Sequence, residues 1–495
     1  MISLDTILHG KVAVRHRFYS NLCEVRSGRH GTFMNNSSKF KLSQFNVVTD
    51  LDDGGMIVRN LFQNNYLYIS PDNKRFFSYL LEDKDFLDAQ DDCEILEGLI
   101  NKMKDMKMII DSNITEYQQV DAWRHSISYS SNNLDLTILP TNACNFRCAY
   151  CFESEGHQYM STDTEDRLCK FMDRDFKKYK TVYIQWFGGE PLLCKDNIKR
   201  IMTRAQQIAR RDKVSVVAGI TTNGYELDVD TYKDLCKLGI IWIQLSVDGT
   251  QRIHNAQRPH KINNDSYTKI IQNLRDIRDN TTAGVCKIYY RVTVSKQTLP
   301  YIDEILSFYK DEFSRDKRFC LSLQPVMDWG GERVENMRDD LPIVEDTVGC
   351  LMTAAKLGLL PIGHHTQPNS ALVCESIRNN SFVVGPGNML QICPMAIYNN
   401  NTSNLNRGII GTLEENGELK IDPTIKAEWM EVEPVMGDQC KKCMYYAICH
   451  GNVTCPYSCK FSDKKQFLCK KHIYDKYIPA ETQMMYMLGK VKEFI

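Results

Sequence analysis

Three cysteines fall within eight residues, CNFRCAYC, from Cys144 to Cys151. Three thiolates on one loop are one ligand short of a closed tetrahedral metal site. They can hold three irons of a [4Fe–4S] cluster and leave the fourth iron open to an outside ligand. A cluster that only carries electrons takes four protein thiolates. Zinc with a distant fourth ligand is the other chemistry these residues allow. The steps of four and three differ from the paired spacing of zinc ribbons. The loop also follows a strand-like run, with Tyr150 just before the last cysteine, which favours the cluster.

A second cysteine group comprises Cys374, Cys393, Cys440, Cys443, Cys449, Cys455, Cys459 and Cys469. Eight thiolates could close two four-ligand clusters, and seven would leave one iron open. A pair of structural zinc sites is the alternative; it would serve folding but could not accept an electron. The remaining cysteines (Cys23, Cys93, Cys169, Cys194, Cys236, Cys286, Cys320 and Cys350) are scattered and read as small buried hydrophobes. In a reducing compartment, 19 cysteines point to metal or redox chemistry rather than to disulfides.

The chain that carries them has 495 residues, too long for one core. It is 43% hydrophobic and 25% charged, with a net charge of −1. That balance offers no basic field for nucleic acid or an anionic membrane. No signal-peptide pattern or spanning run is present, so a cytoplasmic location is expected.

From Leu134 a repeating rhythm positions the first cysteine group. LDLTILPT, TVYIQWFGGEP, VSVVAGITTNG, IIWIQLSVDG, CKIYYRVTVS and RFCLSLQPV read as six strands separated by helical segments. Six β-α units predict an α/β fold, a parallel sheet curved into a partial (β/α)6 TIM-like barrel. In such sheets chemistry sits at the strands' C-terminal ends. Those ends carry the cysteines, GGEP, TTNG and SVDG. The predicted organisation is a small unit over 1–130, the barrel over 131–330, a helical connector over 331–372 and a cysteine-rich region over 373–495. In the first unit, Asp53-Gly54-Gly55 reads as a turn between two strands, followed by a helix with Ile95, Leu96, Leu99, Ile100 and Met103 on one face.

The cysteine loop, GGEP and the six-unit rhythm resemble the radical S-adenosylmethionine enzymes. The resemblance implies that the open iron is chelated by the amino and carboxylate groups of S-adenosylmethionine, which is cleaved reductively to a 5′-deoxyadenosyl radical. It implies that Gly188, Gly189 and Glu190 face the methionine ammonium and that Tyr150 contacts adenine through its backbone. Ser246, in LSVDGTQRIHNAQR, would contact ribose or carboxylate. Arg258 and Arg291 compete as the carboxylate partner, and Asn223 in TTNG is a further candidate contact, although Asn-Gly is ordinary turn chemistry.

The tail resembles the SPASM extension of peptide-modifying members. By that resemblance Cys440, Cys443, Cys449 and Cys469 hold an outer auxiliary [4Fe–4S] cluster. Cys374, Cys393 and Cys455 hold an inner one, with Cys459 as a possible fourth ligand. Two departures stand out: Asn388 replaces a usual glycine, and five residues rather than three separate Cys449 from Cys455. Residues 1–130 resemble a winged-helix-like leader-recognition domain, whose edge strand could capture a peptide by strand addition. The resemblance implies a maturase of the ranthipeptide or sactipeptide type. It would bind a precursor peptide, form thioethers, and take electrons from a flavodoxin- or ferredoxin-type donor. Auxiliary clusters would remove the electron left when a carbon radical bonds to sulfur. Carbon–carbon cross-linking and formylglycine formation are rival outcomes, and a silent peptide-binding module or electron carrier is the rival class.

Overall fold

The computed structural model describes residues 40–77, 93–153, 156–282, 284–328, 333, 336–362, 373–395, 408–431, 433–452, 455 and 469–494. Cys23 and Cys459 lie outside the described residues.

Strands β1 (Phe40–Leu42), β2 (Asn46–Asp50), β3 (Met56–Asn60) and β4 (Asn65–Ile69) open the described chain. The Asp53-Gly54-Gly55 turn joins β2 to β3 as expected, with Gly54 at φ 87°, where a side chain would be strained. Helix α1 (Cys93–Asp105) buries Leu96, Leu99 and Met103 against Val58, Leu67, Ile69, Phe76 and Phe77. Ile95 departs from the predicted face and is exposed. β5 (Ile109–Asp111) pairs back with β1, and α2 (Glu116–Ser128) leads into the main sheet.

The chain then alternates β6 (Asn133–Ile138), α3 (Thr162–Asp175), β7 (Thr181–Trp186), α4 (Lys195–Asp212), β8 (Ser215–Thr222), α5 (Val229–Lys237) and β9 (Ile240–Ser246). Helices α6 (Gln251–Gln257) and α7 (Tyr267–Asn280) precede β10 (Lys287–Val294); α8 (Ile302–Glu312) precedes β11 (Phe319–Pro325). All six predicted strands form, parallel and in sequential order. Sequence punctuation sets the helix starts: Ser161 accepts from Thr164 N at 3.1 Å and Asp228 from Thr231 N at 2.8 Å. On α4, Ile198, Ile201, Met202, Ala205 and Ile208 repeat at helical spacing and are all buried against the sheet.

After α9 (Val344–Lys356), the sheet continues in a way the sequence pattern did not reveal. β12 (Ser381–Val384) pairs parallel with β6 on the side opposite β7. β13 (Met389–Gln391), β14 (Ile409–Leu413) and β15 (Leu419–Ile421) extend it antiparallel, giving ten strands in one open sheet. The cysteine-rich region is thereby joined edge to edge with the barrel. Helices α10 (Pro423–Met430), α11 (Asp438–Lys441) and α12 (Tyr446–Cys449) follow.

The last helix, α13 (Lys471–Met487), returns to the first unit. β16 (Glu493–Phe494) adds in parallel to β4, so the small sheet runs β16-β4-β3-β2. Arg59 on β3 makes a 2.6 Å ion pair with Glu481 on α13; their side chains are 0% and 9% exposed.

Candidate active site at the cysteine loop

The cysteine loop leaves β6 and is fixed by main-chain bonds to the segment after α6. Arg147 N donates to Pro259 O at 2.9 Å, Ala149 N to Gln257 O at 2.8 Å, and Lys261 N to Asn145 O at 2.9 Å. Phe146 is buried between them, edge-on to Tyr225 and His260. Asn223 Nδ2 donates to Asn145 Oδ1 at 2.7 Å, and its own Oδ1 accepts from Tyr225 N at 3.0 Å. Asn223 therefore ties the β8 turn to the cysteine loop.

Beneath the loop lies a cavity of about 450 Å³ at the C-terminal ends of the strands. Cys144, Cys148, Cys151, Tyr150, Gly188, Gly189, Asn223, Ser246, Arg258 and Arg291 all line it. Glu190 does not. Its carboxylate is completely enclosed and accepts from Leu192 N (2.9 Å), Thr222 Oγ1 (2.7 Å) and Asn223 N (2.7 Å). Of the three residues expected to face the methionine ammonium, the two glycines line the cavity, while the acid organises the adjoining turn. The glycines also have a packing reason. A Cβ at Gly188 would stand 2.6 Å from Thr141 O, and one at Gly189 would stand 2.3 Å from Ala143 O. Gly189 N and Glu190 N donate to those same carbonyls at 3.2 and 2.9 Å.

The two competing arginines are placed differently. Arg258 Nη1 donates to the Tyr150 hydroxyl at 2.6 Å and lies 3.8 Å from Asp248 Oδ2. Tyr150 donates in turn to Asp248, whose Oδ1 accepts from Thr293 N at 3.0 Å. Asp248 is wholly buried, and its backbone N–H donates to His254 Nδ1 at 3.1 Å. Arg258 is thus committed to a closed network. Arg291, on β10, borders the same cavity, and its buried Nε has no hydrogen-bond partner among the described residues. Desolvation lowers its pKa, partly offset by Tyr150 and Asp248.

Sequence reasoning passed over Asp248, Thr222 and Glu153. Asp248 stands within SVDG, where it reads as a turn residue; its role depends on its contacts with Tyr150 and Arg258. Glu153 lines the cavity, and burial, reinforced by Glu190, pushes its carboxyl up to about 8.

The thiols fit a cluster. Burial, together with the neighbouring charges of Cys148 and Glu190, pushes Cys144 up to about 12, and Cys148 and Cys151 are raised as well. Three thiolates can persist there only beside a strongly positive centre. Among the described residues no three His, Cys, Asp or Glu side chains converge on a point where one ion would sit. In the tail, Cys440, Cys443 and Cys449 each feel the charge of Cys469, and Cys443 also feels Cys449. Cys374 feels Cys455 beside it. Cys393 is buried just beyond β13.

Residues 138–309 match the Radical SAM superfamily. That segment, about a third of the chain, is similar to this superfamily of enzymes. It is 27% identical over 207 residues to a cysteine-type anaerobic sulfatase-maturating enzyme of Clostridium novyi (strain NT), covering 40% of this chain and 53% of that protein. It is 29% identical over 183 residues to a GTP 3',8-cyclase of Photorhabdus laumondii subsp. laumondii, covering 36% and 50%. The chain spans about half the length of these curated relatives. The fold is similar to that of native anSMEcpe, solved with bound AdoMet and the Kp18Cys peptide. That match has a TM-score of 0.54 at 17% identity, over 72% of this chain and 99% of the other. Among the described residues no helix is long and apolar enough to cross a membrane.

Proposed function

We propose that this chain is a radical S-adenosylmethionine peptide maturase. It removes a hydrogen from a ribosomally made precursor peptide and installs thioether links from cysteine sulfur to carbon. One observation carries the reading. Three cysteines on a rigidly held loop share a single cavity with the Gly188-Gly189 backbone and with Arg291, whose buried Nε has no hydrogen-bond partner among the described residues.

Cys144, Cys148 and Cys151 would hold the first [4Fe–4S] cluster. Cys440, Cys443, Cys449 and Cys469 would hold an outer auxiliary cluster; Cys374, Cys393 and Cys455, with or without Cys459, an inner one. When bound, these groups supply reductive cleavage of S-adenosylmethionine to a 5′-deoxyadenosyl radical and removal of the surplus electron. The chain's own residues bind and orient. The main chain at Gly188 and Gly189 receives the methionine ammonium, and Arg291 rather than Arg258 receives the carboxylate. Ser246 faces the ribose or carboxylate, and the Tyr150 main chain faces adenine. The Tyr150–Asp248–Arg258 network keeps the loop registered against β9 and β10. Strand β2 is an edge of the small sheet and is the surface we assign to a leader peptide. The division near residues 130, 330 and 372, the leader-recognition and SPASM assignments, a flavodoxin- or ferredoxin-type donor and a cytoplasmic location belong to this proposal.

Formylglycine formation is the second reading, favoured by the similarity to a sulfatase-maturating enzyme. Anaerobically reconstituted protein with dithionite and S-adenosylmethionine should produce 5′-deoxyadenosine, and Cys148→Ala should abolish it. About 12 irons per chain are expected if three cubane clusters form. A cysteine-containing peptide that loses two hydrogens and whose cysteine no longer alkylates even after dithiothreitol supports thioether formation. Loss of the sulfur supports the second reading, and absence of deoxyadenosine refutes both.

A further inference from the structure

The large sheet carries a second hollow, of about 460 Å³, toward the N-terminal ends of its strands. Leu134, Leu136, Ile184, Ala218 and Ile243 face the main core. The alternate residues Asp135, Thr137, Tyr183, Gly219 and Trp242 therefore lie on the other face. That is the face from which Thr221, Ser246 and Arg291 line the cavity at the cysteine loop. Thr221 is two residues beyond Gly219 on β8, so the two hollows follow one another along the same strands.

The second hollow is built for a flat cation. Its charged lining among the described residues is Asp135, Glu375 and Arg378, two carboxylates against one guanidinium. Arg378 is committed: Nη1 donates to Asp135 Oδ2 at 3.0 Å, while Nε and Nη2 donate to Val373 O at 3.0 and 2.7 Å. Lys426 is outside the lining and donates to Ser381 O at 2.9 Å. Glu375 makes no ion pair among the described residues. Two aromatic side chains, Tyr183 and Trp242, border the same space. Trp242 is opposite Gly219 in the register, and a Cβ on Gly219 would stand 1.8 Å from the indole. Only glycine there leaves room for the ring. An ammonium would satisfy Glu375 alone. A guanidinium offers a planar face to the aromatics and paired N–H groups to the carboxylate.

We propose that this hollow is a guanidinium-binding subsite, with Glu375 as counter-ion and Trp242 and Tyr183 as the stacking wall. The group comes from an arginine side chain of a peptide or from a free alkylguanidine. A peptide arginine would sit one step along the sheet from the reacting residue, since two residues of a strand span about 7 Å. That source rests on the maturase reading; the binding itself does not.

The test is calorimetric titration of anaerobic holoprotein with butylguanidinium, its neutral isostere butylurea and the blocked tripeptide Ac-Gly-Arg-Gly-NH2. Butylguanidinium should saturate one site per chain, and butylurea should bind roughly 10-fold more weakly or worse. Glu375→Gln and Trp242→Leu should each weaken butylguanidinium by a similar factor, with the S-adenosylmethionine Kd unchanged. A tripeptide that binds more tightly than butylguanidinium assigns the group to a peptide; one that binds more weakly assigns it to a free alkylguanidine. The proposal is overturned if butylguanidinium does not saturate, if butylurea binds equally well, or if Glu375→Gln leaves the affinity as it was. Iron per chain is read alongside, because Glu375 follows Cys374; if Glu375→Gln loses iron, Trp242→Leu and the butylurea comparison decide. Absence of 5′-deoxyadenosine would refute the maturase reading and leave this binding result standing.

Discussion

The two arginines at the cavity should fail in different ways when replaced by methionine. Arg291 has no hydrogen-bond partner at Nε, so Arg291→Met leaves no protein group newly stranded. What disappears is a charge-assisted contact to the ligand carboxylate, worth about 1.5–3 kcal/mol. That corresponds to roughly a 10- to 150-fold rise in the S-adenosylmethionine Kd. The thermal midpoint should hardly move. Arg258→Met instead removes the cation facing a wholly buried Asp248, 3.8 Å away, and one donor to Tyr150. Removing one partner of a buried pair costs about 3–5 kcal/mol of stability. Calorimetric titration with S-adenosylmethionine under anaerobic conditions and thermal unfolding measure the two effects separately. If Arg291→Met binds normally while Arg258→Met loses affinity at unchanged stability, the assignment of the free and committed arginines is wrong.

Three further outcomes are expected. Arg59→Met should destabilise by about 3–5 kcal/mol in urea unfolding, and Arg59→Met/Glu481→Met should recover much of that loss, because neither charge is then buried alone. Gly189→Ala should lower the iron bound per chain after reconstitution, since its methyl would meet Ala143 O at 2.3 Å and push the cysteine loop; unchanged iron content would contradict this. Burial holds Lys426 down to about 7, partly offset by Asp135. Between pH 7 and the ordinary lysine range the unfolded chain therefore binds a proton that the folded chain does not, and stability from this group rises with pH. From pH 7 to 9, wild type should gain on Lys426→Met by up to about 1.4 kcal/mol per pH unit; a flat difference would refute it.

The six barrel strands were legible because each combines an apolar β-branched run with a chemically marked C-terminal end. The grouping of Cys440, Cys443, Cys449 and Cys469 rests on the family resemblance and not on spacing alone. Other features depend on what lies across space. No local pattern tells that Glu190 spends its carboxylate on Thr222 and Asn223, or that Asp248 takes Arg258 and leaves Arg291 unclaimed. Four residues of β12 are too few for periodicity to announce, and their pairing partner β6 lies far upstream. Ile95 fits a helical stripe, yet the small core closes without it.

The pairing of β16 with β4 has a consequence for biogenesis. Leu67 finds its neighbour in Glu493, so β4 waits for a strand synthesised more than four hundred residues later. Until then β4 presents an unpaired rim of amides and carbonyls, the kind of template that recruits foreign strands. Expression as fragments, or release of an unfinished chain, should therefore favour aggregation through the very sheet that the closing segment seals.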